Sequence, residues 1–248
     1  MMTALETLFF AEGKERYRQA AQVRLSCRSY AGAPDSAAFA ALSYVIGRYA
    51  MSGARLVLTP VDESLFTGTI LGMGRITGCR MAAVVIADRR EAMCRVNAGI
   101  IGEAFVLEAT SQGLGTCWVT GTYKRKLLTI PLGETEEILG VIAAGIPSVP
   151  LKLPENRRRK PMERLIHGDM PTGNALAAAE LVRIAPSAVN LQPWTMEVHP
   201  DGQFVLMVGS RTLLDGGIAL CHAELAVTGT HHWSYQLTSG GLTAAATI

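Results

Sequence analysis

The segment Arg24-Leu25-Ser26-Cys27-Arg28 sets two guanidiniums around a hydroxyl. In an extended chain alternate residues share a face, so Arg24, Ser26 and Arg28 point one way and Leu25 and Cys27 the other. That face suits a phosphate, because arginine donates bidentate, charge-assisted hydrogen bonds and does not lose its charge. The same pattern also fits an edge strand defended by basic residues. A second candidate is the run Gly113-Leu114-Gly115-Thr116-Cys117-Trp118-Val119-Thr120-Gly121. Gly113 can close a helix, but Gly115 and Gly121 exceed what a cap needs and let backbone N–H groups approach a flat ligand. The plainer reading is a cap leading into a buried strand with Cys117 in the core. The third candidate is the stretch APSAVNLQPW at residues 185–194. Its two prolines push the residues before them toward extended geometry, fixing a turn that carries Ser187, Asn190 and Gln192. Such a turn can hold a polar ligand, or simply end a helix before a strand that buries Trp194.

Other motifs lack necessary parts. The glycine run at residues 72–78 is followed by strand-like sequence, not by the helix whose N-terminus a dinucleotide pyrophosphate requires. His222-Ala223-Glu224 imitates the start of a zinc deaminase signature, but no cysteine follows it, and both side chains are expected on the last helix. His231-His232 is too isolated for a metal site, and there is no GxSxG. No metal ligands and no catalytic acid–base pair are expected.

The elements that must position these residues follow from hydrophobic period. Helices are expected over residues 3–20 (with Thr3 and Glu6 as a capping box), 36–50, 97–112, 174–184 and 215–227. Residues 24–30 read as extended. Strands are expected at 54–58, 81–87, 116–119, 138–146, 195–199 and 204–208. Residues 152–164 (KLPENRRRKPMER) carry six basic and two acidic residues and read as a surface linker, the natural division of the chain. Residues 212–248 contain no Lys or Arg, and their Gly/Ala/Thr-rich end reads as a loosely held tail. Asn97-Ala98-Gly99-Ile100 and Asp215-Gly216-Gly217-Ile218 each open an Ala-rich helix after a strand, a faint echo of two related halves.

Composition limits the function classes. The chain has 248 residues, 49% hydrophobic and 18% charged, with 23 Lys and Arg against 21 Asp and Glu for a net charge of +2. That excludes a disordered or fibrous chain and gives no field arguing for nucleic acid or an anionic membrane. The apolar runs fall far short of the ~20 residues of a membrane span. No signal peptide is legible. Five scattered cysteines without a CxxC pair fit reduced thiols in a cytoplasmic protein.

Together these segments resemble the nitroreductase family of FMN flavoproteins. Arg24 to Arg28 matches its basic Arg-x-Ser-x-Arg strand, Pro186 to Trp194 its Pro-Ser-x-x-Asn-x-Gln-Pro-Trp turn, and Gly113 to Trp118 its Gly-Leu-Gly-Thr-x-Trp loop. Gly145-Ile146-Pro147 and the basic run Arg157-Arg158-Arg159-Lys160-Pro161 match its last shared element. The order departs from the usual one: the Asn-x-Gln-Pro-Trp turn follows the basic linker, and residues 48–53 hold no counterpart. The chain thus resembles the variant branch in which two nitroreductase-like halves are joined. The resemblance implies an α+β fold, a mostly antiparallel sheet flanked by helices and duplicated as an internal pseudo-dimer. The halves are 1–165 and a reduced 166–248, with one FMN between them in a monomer or homodimer.

The resemblance also implies residue roles. Arg24, Ser26, Arg157 and Arg159 would hold the phosphate and ribityl end, and Arg28 would sit by the pyrimidine edge. Pro186, Ser187 and Asn190 would reach in from the second half. The backbone of Trp118, Val119, Thr120 and Gly121 would face the reactive edge, where the family often has an acidic or prolyl residue in place of Trp118 or Thr120. The implied activity is electron transfer from NAD(P)H through flavin to an electron-poor acceptor such as a nitroaromatic or quinone. Alternatives on the same scaffold are a flavin-fragmenting or dehalogenating enzyme, or an FMN-binding protein without turnover.

Overall fold

The computed structural model describes residues 4–9, 11–66, 75–168 and 170–248. It opens on a 3-10 turn, Leu5–Thr7, followed by helix α1, Ala11–Val23, where one continuous helix over 3–20 was expected. The break lets Leu5, Leu8 and Phe9 bury while Glu6 accepts a hydrogen bond from the Trp233 backbone N–H at 2.7 Å. The expected capping box depends on Thr3, outside the described residues.

Residues 24–29 are extended but join no ladder. Ser26 bridges Thr116 and Ser29 bridges Thr77, and strand β1 spans only Tyr30–Gly32. Asp35 then caps α2, Ser36–Arg48, its carboxylate accepting from the Ala38 N–H at 2.8 Å. Next come β2 (Ala54–Pro60), β3 (Met81–Asp88), α3 (Cys94–Ser111), β4 (Gly115–Val119) and β5 (Glu136–Pro147). They form a first sheet ordered β1-β5-β3-β2, with β4 also on β5 and every pair antiparallel. The basic linker carries no strand and only a 3-10 turn, Met162–Arg164. Beyond it lie β6 (Ile166–His167), α4 (Gly173–Ile184), β7 (Trp194–Val198), β8 (Gln203–Gly209), α5 (Leu213–Ala226), β9 (Ser234–Thr238) and β10 (Gly241–Thr247). The second sheet runs β6-β7-β8-β10-β9, antiparallel except at β6–β7. The architecture is the expected α+β.

The expected tail is a correction. β10 pairs with β8 along its whole length, from Gly241 opposite Gly209 to Thr247 opposite Gln203, and buries Leu242, Ala244 and Ala246. Its alternation has the strand period of two. Alanine's low strand propensity hides it in the sequence.

α3 packs on the first sheet, α5 on the second, and the two helices on each other. Both are buried almost throughout, which explains why they are apolar on all sides. Their crossing is at the two echo motifs. A Cβ on Gly99 would lie 2.2 Å from the Leu214 carbonyl oxygen and 3.0 Å from the Ile218 nitrogen. One on Gly217 would lie 1.9 Å from the Val96 oxygen and 2.9 Å from the Ile100 nitrogen. Leu214 and Val96 each stand three residues before a crossing glycine, and Ile218 and Ile100 one after. The contact is reciprocal.

Candidate functional site

Three chain segments converge on a cavity of about 650 Å³ beside the α3–α5 crossing. From the first come Arg24, Ser26 and Arg28; from β4 and the loop after it, Trp118, Val119, Thr120 and Gly121; from the turn between α4 and β7, Pro186, Ser187 and Asn190. Arg159 of the linker completes the expected set. The alternation read from the sequence holds, since Arg24, Ser26 and Arg28 all line the cavity and Leu25 does not. Gly115 explains how the first segment reaches it: a Cβ there would lie 2.6 Å from the Cys27 sulfur, so only glycine lets the basic segment cross β4 this closely.

Arg157 departs from expectation and does not line the cavity. Its guanidinium donates to the carbonyls of Ala21 (3.1 Å), Gln22 (2.6 Å) and Arg24 (2.9 Å). It caps the C-terminal end of α1, where free carbonyls and the helix dipole favour a cation, and fixes the backbone of Arg24 from behind. Arg159 faces inward. It donates to Asn190 Oδ1 at 2.8 Å and to the Ile184 carbonyl at 3.0 Å, tying the linker to the Pro186 turn.

That turn is held in a strained form. Val189, Asn190 and Gln192 have φ of 45°, 57° and 44°, a left-handed conformation that β-branched valine rarely adopts. Buried Gln192 fixes it, accepting from the Lys160 N–H at 2.7 Å and donating to the Arg183 carbonyl at 2.9 Å. Asp215 of α5 accepts from the Ala188 N–H at 3.0 Å, and burial raises its carboxyl above the usual range.

The deep wall is cationic. Arg24 is 4% exposed, and its Nε and that of Arg159 are buried with no hydrogen-bond partner among the described residues. Burial, then neighbouring Arg24 and Arg183, push Arg159 down to about 10; burial followed by Arg24, Arg159 and Arg183 does the same to Arg157. The nearest carboxylate to Arg24 is Glu103 of α3, whose Oε1 lies 3.9 Å from Arg24 Nε. Fully buried Glu103 also accepts from Trp118 Nε1 at 2.8 Å and pairs with His222 Nε2 at 2.9 Å. Burial lowers the His222 pKa, with the Glu103 hydrogen bond opposing. His222 and Glu224 do lie on the last helix, as expected.

Arg95, Arg211 and Asp215 also line the cavity, with Phe66, Ile76, Leu139 and Ile218 as apolar wall. None of these, nor Glu103, was expected at the site; Asp215 and Ile218 stood out only as part of the helix-opening echo. The signal available for Glu103 was a lone acid inside the apolar stretch NAGIIGEAFVL.

A protein-family model described as "Putative TM nitroreductase" matches residues 17–227. Among solved structures, one described as a "putative nitroreductase" from Thermotoga maritima is 21% identical over 93% of each chain, with a TM-score of 0.61, a likeness that establishes a shared fold. A "putative nitroreductase" from Desulfovibrio desulfuricans, solved in complex with FMN, is 21% identical over 62% of this chain and 98% of its own, with a TM-score of 0.46. No curated protein matches the chain.

Proposed function

The chain belongs to the family described as "Putative TM nitroreductase", and from that premise we propose that it is an FMN-dependent oxidoreductase taking electrons from NAD(P)H to an electron-poor acceptor such as a nitroaromatic or quinone. The observation that carries the cofactor is the deep wall. A buried guanidinium nitrogen without a partner is costly, and a phosphate is the group that two neighbouring guanidiniums on one cavity wall fit best. The residues fit FMN in kind: cations at the buried end, hydroxyl and amide groups at Ser26, Ser187 and Asn190, and apolar wall beyond.

In this reading Arg24 and Arg159 hold the phosphate. Arg157 positions Arg24 without touching the cofactor. FMN supplies the two-electron chemistry, so the chain needs no acid–base pair of its own. Arg28 places a fixed positive charge on the wall, favouring negative charge on a bound ring in a partly desolvated site. Trp118 and Val119 wall off one side while Pro186, Ser187 and Asn190 enclose the site from the second half, keeping water from it.

The halves 1–165 and 166–248 act as fused partners in this proposal, and the reciprocal Gly99–Gly217 contact supports it. The position in the first half corresponding to Asp215 is Asn97, whose Nδ2 donates to the Ser52 carbonyl at 2.9 Å. The Pro-Ser-x-x-Asn turn has no equivalent there, which supports one cofactor per chain. No described helix is long and apolar enough to cross a membrane; a cytoplasmic location and action on small molecules, without nucleic acid, complete the reading.

Anaerobic addition of NADH or NADPH to the FMN-loaded protein tests it. Bleaching of the flavin, followed by recovery of colour on adding a quinone or nitroaromatic, is expected. A flavin that stays oxidised with both nucleotides would reduce the chain to a flavin-binding protein.

A further inference from the structure

Glu103 belongs to no motif, yet it holds a central place behind the cavity. It is fully buried in the middle of α3, receives Trp118 Nε1 and His222 Nε2, and is the only carboxylate paired with Arg24 among the described residues. Its contact with Arg24 differs from the other two. At 3.9 Å the pair is an ion pair without a hydrogen bond, and the Arg24 guanidinium makes no hydrogen bond with any described residue. Arg24 is therefore neutralised in charge but unsatisfied in geometry. Its donors remain for a group on the cavity side.

We propose that Glu103 is the stand-in counter-ion of the cofactor site, compensating Arg24 in the flavin-free protein and sharing it with the phosphate once FMN is bound. The inference rests on the FMN reading. A buried guanidinium with no anion nearby is strongly destabilising, so the flavin-free fold depends on Glu103. The phosphate, arriving on the other side of Arg24, repels the same carboxylate through a low-dielectric interior. Glu103 is thus a positioning residue that stabilises the fold at the expense of cofactor affinity. The sign of this trade separates it from a carboxylate that merely anchors Trp118 and His222, whose loss would loosen the pocket for any flavin.

The test compares FMN with riboflavin, which lacks the phosphate, on wild type, Glu103→Gln and Glu103→Asp. Expected for Glu103→Gln is a lower melting temperature without flavin and a preference for FMN over riboflavin that rises roughly tenfold, the size of one charge-assisted interaction. Glu103→Asp keeps the charge and should keep the wild-type preference, even though its shorter side chain lowers the melting temperature. A Glu103→Gln protein recovered only when refolded with FMN, and not with riboflavin, supports the proposal equally. An unchanged or smaller FMN preference in Glu103→Gln overturns it, as does a variant that neither flavin rescues. A wild-type protein that binds neither flavin overturns the cofactor reading itself, and this inference with it.

Discussion

Arg28 is the cation whose role can be tested with least disturbance to the fold. Its only side-chain hydrogen bond among the described residues is a long one, 3.4 Å to the Ser26 carbonyl, whereas Arg159 also ties together the linker and the Pro186 turn. Arg28→Ala should therefore leave the melting temperature nearly unchanged. The midpoint potential of the bound flavin should fall by on the order of 30 mV, which for two electrons is about a tenfold change in equilibrium. An unchanged potential would remove Arg28 from the flavin's surroundings. The residue scale also shows what local sequence does not contain. Charge and spacing marked Arg24, Ser26 and Arg28 as an anion-binding set, because alternation in an extended segment is a local property; Arg159 was reached only through the resemblance. The resemblance also put Arg157 at the phosphate, but its guanidinium lies off the cavity, on the carbonyls of Ala21, Gln22 and Arg24 that only the folded chain brings within its reach. Glu103 went unseen because its partners lie 15, 79 and 119 positions away.

Between elements, the clearest electrostatic tie joins β2 to the start of β5. Arg55 grips Glu136 with two bonds of 2.7 Å, and Glu136 also accepts from the Gly133 N–H at 2.8 Å. The Arg55 hydrogen bond, first among the causes, lowers the Glu136 carboxyl from 4.5 to about 2. A lowered carboxylate pKa means that the folded state holds its proton less tightly than the unfolded one. The stabilisation is present above about 4.5 and disappears as pH falls toward 2. Glu136→Gln should cost no more than ~1 kcal/mol at neutral pH, because the pair is partly exposed. In urea melts the gap from wild type should close as pH drops from 5 to 2; a gap constant over that range would contradict the assignment.

The helix crossing makes a sharper forecast at the same scale. Gly→Ala inside a helix normally gains up to ~1 kcal/mol. At Gly217 a Cβ would meet the Val96 carbonyl, so Gly217→Ala should instead destabilise by several degrees, while Gly47→Ala in α2, where nothing lies within 4 Å, should be neutral or stabilising. Equal melting temperatures for the two variants would mean that α3 and α5 do not cross at the glycines. The elements themselves were largely legible: α2, α3, α4 and α5 and the strands β2 to β5, β7 and β8 fall within a few residues of the hydrophobic pattern. Short β6, β9, β10 and the break in the first helix were not. The first helix broke because Glu6 and Leu5 answer to Trp233 and the core, over 200 residues distant, and β10 was hidden in an Ala/Thr run whose only signal is its period.

For the whole molecule, the two sheets enclose the α3–α5 pair, and the cavity beside it draws residues from both ends of the chain. That closure was foreseeable only as a resemblance, because no local pattern says that residue 24 meets residue 187. On the proposed reading this junction forms one flavin site per chain, because the Pro-Ser-x-x-Asn turn at residues 186–190 occurs once in the sequence. Titration of flavin-free protein with FMN, followed by calorimetry to count sites, decides it: saturation at one FMN per chain with much weaker riboflavin binding is expected, and saturation at two per chain, or no FMN binding, would overturn it.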